Sequence, residues 1–158
     1  MKYAVLSFFI LLFSFNSFSQ ISHGGQPYEW ESKSELPYEI IKLPKVNLST
    51  LHAEDAVNDL DKSIPHRLGQ NIEVDLDLYN DGIWTELDNG DGIWRLALNS
   101  TGATSLNFVF DAYFVPEGGE IFVYSEDKEQ LLGSFTSENA SKLNTMGVGL
   151  IFADKAII

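Results

Sequence analysis

The sequence predicts a mostly-β fold: an antiparallel, jelly-roll-like β-sandwich with one short helix and an extended N-terminal arm. Three observations carry that reading. From Ile72 onward, apolar residues recur at every second position. These runs are short, lie about 8 to 12 residues apart, and are separated by Gly, Asn and Asp. The region before them has no sustained period and is interrupted by Pro27, Pro37 and Pro44. Several runs have one apolar and one polar face, which favours two packed sheets over a closed barrel. The chain divides into a leader over residues 1–19, an arm with a short helix over 20–69, and a sandwich over 70–158, where an abrupt apolar ending predicts truncation.

The leader comes first. Met1-Lys2 is a short positive start, Tyr3 to Phe15 is nearly all apolar, and Ser17-Phe18-Ser19 puts small residues before Gln20. An apolar run of that length rises only about 20 Å as a helix, short of the roughly 30 Å of bilayer hydrocarbon. It therefore reads as a cleaved signal peptide, and the mature chain is expected to be secreted, with no membrane attachment. The arm, from Gln20 to Val46, is expected to lie over the domain and anchor through Tyr28, Trp30, Ile40 and Ile41. Ser49 to Leu60 follows as a helix, with Ser49 or Thr50 as N-cap and Leu51, Ala56, Val57 and Leu60 on one face.

Ile72, Val74, Leu76 and Leu78 alternate with Glu73, Asp75 and Asp77, predicting a strand with one acidic face. Gly82 to Leu87 and Gly92 to Asn99 form a hairpin around Asp88-Asn89-Gly90-Asp91. Trp94, Leu96 and Leu98 share one face of its return strand, and Arg95 and Asn99 share the other. Leu106, Phe108, Phe110, Ala112 and Phe114 then define a long strand, ending at the turn Pro116 to Gly119. Strands over Glu120–Tyr124 and Leu131–Thr136 follow, and Val148, Leu150 and Phe152 begin a last pair. Trp84, Trp94, Leu96, Leu98, Phe108 and Phe110 are assigned to the core, not to a sugar-stacking platform.

Charge limits the partners. With 10 basic and 23 acidic residues, the formal charge is −13. Such a surface repels nucleic acid and anionic membranes and favours basic partners. There is no cysteine, so an exported chain must rely on its packed core. His23, His52 and His66 fall in no metal-binding or triad spacing, and no nucleophile motif accompanies them. No cofactor is expected. Asp75, Asp77, Asp88 and Asp91 are the only metal candidates, as oxygen ligands near turns suited to calcium. They do not form a calcium-loop pattern, and satisfying turn backbones explains them more simply.

Several segments carry a resemblance. These are ISHGGQPYEWE, Glu54-Asp55, PHRLG from Pro65 to Gly69, GIWRLALNSTGATSLNFVFDAYFVPEGGEIFVYSED from Gly92 to Asp127, LGSFTSEN from Leu132 to Asn139, and GVGLIFADKAII. Together they resemble the N-terminal region of secreted bacterial lysyl endopeptidase-like, trypsin-type serine protease precursors. That resemblance implies a non-catalytic pro-region that assists folding or latency of a protease domain beyond residue 158. It implies no catalytic residue in this chain. The family's Gly-Asp is replaced by Ala153-Asp154, and the Glu-Tyr that follows it there is not reached. Two other readings stand beside it: a secreted binding module for glycan or calcium, and an independent hydrolase.

Overall fold

The computed structural model describes residues 22–158, so the leader and its cleavage position lie outside the described residues. The described elements follow in the order α1 (Tyr28–Ser32), β1 (Glu39–Lys42), α2 (Leu48–Asn58), β2 (Ile83–Glu86), β3 (Gly92–Asn99), β4 (Val109–Phe110), β5 (Ile121–Ser125), β6 (Leu131–Phe135), β7 (Met146–Gly147) and β8 (Lys155–Ile157). A 3-10 turn covers Ser137–Asn139. One sheet runs β1-β3-β8-β5-β6, with β2 also paired to β3, and β4 and β7 form a separate two-stranded ribbon. The pairings are antiparallel except β1 with β3, which is parallel. A parallel pair needs a long crossover. Residues 43–82 supply it.

Both faces of the large sheet are apolar. On β5 and β8, Val123 and Ala156 join Tyr113, Val115, Phe135, Met146, Val148 and Ile151 in one cluster. Their neighbours Tyr124 and Ile157 join Ala97 in a second cluster with Trp30, Tyr38, Phe122 and Leu131. Adjacent residues on a strand point to opposite faces, so the two clusters lie on either side of the sheet. The ribbon residues Met146 and Phe110 cover the first face, and the arm covers the second.

The arm is more deeply built in than its proline-broken sequence suggests. At one end it pairs with β6, where the His23 amide donates to the Ser134 carbonyl at 3.2 Å and the Ser134 amide donates to Gly24 at 3.1 Å. At the other end β1 pairs with Leu96 to Asn99 of β3. Between them α1 crosses the sheet face. A helix over Tyr28–Ser32 was not expected, and it corrects the expectation of a single helix. Trp30 is an anchor as predicted, whereas Tyr28 and Ile40 are exposed.

Three sequence expectations are met only in part or not at all. Ile72 to Leu78 forms no strand, because no neighbouring strand pairs with it. α2 exists, capped by Asn47 through the Thr50 amide, not by Ser49 or Thr50, but none of its residues is buried. The long strand over 106–114 shrinks to Val109–Phe110 plus a bridge from Leu106 to Ile151. The cause of the last is local. Ala112 has φ +45°, so the alternation slips by one residue there. Tyr113 and Val115 turn inward, and Phe114, expected inside, is 80% exposed. The same slip occurs after Val148, leaving Ile151 buried and Leu150 and Phe152 exposed.

The hairpin forms close to its expected limits, with Trp84 directly opposite Trp94. Leu96 and Leu98 are buried, and Trp94, Phe108 and Phe110 are half-buried. Trp84 departs from the core assignment at 57% exposure, its indole N–H donating to the Leu78 carbonyl at 2.8 Å. Arg95 is buried on the opposite face of the strand from Trp94 and Leu96. The arm lies over it.

Candidate functional site

A buried ion pair joins the arm to the sheet. Glu29 on α1 and Arg95 on β3 are 6% and 5% exposed. Arg95 Nη2 lies 2.8 Å from Glu29 Oε2 and donates to the Tyr124 hydroxyl at 2.8 Å. That hydroxyl donates in turn to Glu29 Oε1 at 2.9 Å. Arg95 Nη1 donates to the carbonyl of Leu36, and the guanidinium carbon lies 4.8 Å from the Tyr38 ring centre. Trp30 packs edge-on against Tyr124 at 5.3 Å. The half-exposed Lys128 approaches Glu29 Oε1 at 3.9 Å.

Local sequence explains each position. Glu29 is in the first turn of the short helix that follows Pro27, where an acidic side chain is favoured. Arg95 lies between Trp94 and Leu96 on a paired strand, so its side chain must leave by the opposite face from theirs. Tyr124 reaches the same face from β5. The arrangement is a closed triangle of opposite charges and one hydroxyl. Burial pushes the Tyr124 hydroxyl well above its ordinary value, so it stays protonated and serves as a donor to the carboxylate. Arg95 Nε and Trp30 Nε1 are buried without a partner among the described residues.

A second, exposed centre ties α2 to the loop that follows. Arg67 Nη2 meets Glu54 Oε2 at 2.6 Å and Nε meets Asp55 Oδ1 at 2.8 Å. The hydrogen bonds that it donates to Asp55 and then Glu54 hold the guanidinium above its ordinary pKa. His66 Nδ1 lies 2.7 Å from Asp59. His23 faces Glu138 at 3.6 Å beside edge strand β6, and His52 is on exposed α2. The three histidines therefore belong to three separate surroundings.

Two of the acidic candidates, Asp77 and Asp91, are engaged in turns. Asp77 accepts from the Asn80 side chain at 2.7 Å and from the Tyr79 and Asn80 amides at 2.6 and 2.9 Å, which hold its carboxyl below the usual range. It closes an Asx turn. Asp91 accepts from Asn89 at 2.7 Å in the hairpin turn, with Asp88 beside it. Asp75 is in the unpaired segment. No group of three or more His, Asp or Glu arranged for a metal occurs among the described residues. A shallow depression of about 440 Å³ opens beside the hairpin turn, lined by Tyr28, Leu36, Thr85, Glu86, Asp88 and Asn89.

Sequence reasoning missed Glu29 and Arg95 as partners. A charged residue between two apolar ones on a strand reads as solvent-facing unless the cover on that face is known. No protein-family model matches the chain, and no solved structure matches its fold.

Proposed function

We propose that this chain is the N-terminal pro-region of an exported trypsin-like serine endopeptidase of the lysyl endopeptidase type. It would assist the folding or maintain the latency of a protease domain beyond residue 158. The described sheet would be one layer of a jelly-roll-like sandwich. One observation supports this reading above the others: the segments that carry the resemblance meet each other in space. PYEWE supplies Glu29 and Trp30, GIWRL supplies Arg95, and FVYS supplies Tyr124, all to one buried triangle. Glu54-Asp55 and PHRLG meet likewise through Arg67. Residues that carry the resemblance and also contact one another across the chain fit a single folding unit.

Both centres spend their charges internally, which suits a scaffolding role. The leader, the acidic surface and a lack of cysteine suit an exported, cysteine-free partner of another domain. The test begins with the reading frame past codon 158. A trypsin-type domain found there is expressed with and without residues 20–158. Higher yield of active protease, or suppressed activity before processing, is expected when the region is present. Absence of such a domain, or equal yield and activity in both cases, overturns the proposal.

A further inference from the structure

We propose that Ile72–Leu78 is a docking strand that receives an edge strand from a partner protein, one whose residues alternate between apolar and basic. This inference holds for any partner with such an edge and does not depend on the protease reading.

The backbone carries the argument. From Ile72 to Leu76, no main-chain N–H or carbonyl has a hydrogen-bond partner among the described residues. Such a run is a ready template for another strand. Both ends of it are held. At one end Arg67 Nη1, already bound to α2, donates to Gln70 Oε1 at 3.3 Å. At the other, the Asp77 amide donates to Asp81 Oδ2 at 3.0 Å and Trp84 donates to the Leu78 carbonyl. Ile72 and Leu76 are half-buried, while Val74 and Leu78 are 49% and 46% exposed. The sequence has strand periodicity, but no strand within 22–158 meets it.

Charge decides what kind of strand it accepts. In a paired strand Glu73, Asp75 and Asp77 fall on one face, about 6.8 Å apart in succession. Asp77 is occupied by its turn, whereas Glu73 and Asp75 make no side-chain hydrogen bond or ion pair among the described residues. A second copy of this segment would set carboxylates against carboxylates, which opposes pairing. Lysine or arginine at the facing positions would be attracted instead. The same charges thus exclude self-pairing and select a basic partner.

The probe is a capped seven-residue peptide of alternating Lys and Val, titrated into the chain at low salt with amide NMR and fluorescence anisotropy as readouts. Saturable binding is expected, with protection of the 72–76 amides and weakening as salt is raised. The matching Glu/Val peptide should not bind. Val74→Pro should weaken binding at least tenfold without lowering the melting temperature, since the Val74 amide has no partner to lose. Should that variant fail to fold, Glu73→Lys with Asp75→Lys provides a second test, because preference should switch to the Glu/Val peptide. The proposal is overturned if the Lys/Val peptide does not saturate, or if folded Val74→Pro binds it equally. Dimerisation of the wild-type chain that Val74→Pro abolishes also overturns it, by making a second copy the occupant.

Discussion

Removing either charge of the Glu29–Arg95 pair should loosen the arm and destabilise the sheet together. Both side chains are about 94% buried, so neither can be rehydrated without moving α1. Removing one partner of such a pair costs about 3–5 kcal/mol, because the other is left buried and uncompensated. Arg95→Met leaves Glu29 with the Tyr124 hydroxyl and with Lys128, which can follow it, so its cost should fall near ~3 kcal/mol. Glu29→Leu leaves the guanidinium with only neutral acceptors, the Tyr124 hydroxyl and the Leu36 carbonyl, and should approach ~5 kcal/mol. The double variant removes both charges from an apolar setting and should be more stable than the two losses added together, by about 0.5–3 kcal/mol. Urea unfolding followed by tryptophan emission and by circular dichroism measures all four corners of the cycle. The emission reports Trp30 in the arm together with Trp84 and Trp94 in the hairpin, and the backbone signal reports the sheet. Single losses below ~1 kcal/mol that simply add would refute the argument, since that is how an exposed pair behaves.

Gly82→Ala should destabilise the hairpin by more than ~1 kcal/mol. Gly82 has φ +77°, and a Cβ there would come within 2.5 Å of the Trp94 ring, so thermal melting and near-ultraviolet dichroism should both change. Unchanged melting would contradict that packing. Alkaline titration should show Tyr113 and Tyr124 ionising late, because burial raises both hydroxyls. The folded state holds those protons, so their contribution is intact below about pH 10 and is lost as pH rises beyond it. Tyrosinate absorbance that rises in full before unfolding begins would be the opposite result. Trypsin should cut first at Lys62, in the exposed crossover, with the fragments remaining together because β1 is paired to β3. A first cut within residues 83–158, seen by mass spectrometry, would show that the crossover is better protected than its exposure indicates.

The sequence by itself determined the elements whose signals are local. Asn89-Gly90 between two alternating runs specifies the Trp84–Trp94 hairpin, since turn geometry sets its register. The strands over Ile121–Ser125 and Leu131–Phe135, and the helix over Leu48–Asn58, follow from nearest-neighbour pattern in the same way. Tertiary structure decided what each face meets. Ile72 to Leu78 has the alternation of a strand, but a strand exists only where a partner supplies the other half of its hydrogen bonds, and none of the described residues does. Phe114 lost its inward place to Tyr113 through one backbone angle at Ala112, which no period count detects. Arg95 and Glu29 lie 66 positions apart and look like two solvated charges. Only the path of the arm across the sheet removes both from water, and that shared burial makes each the other's required partner.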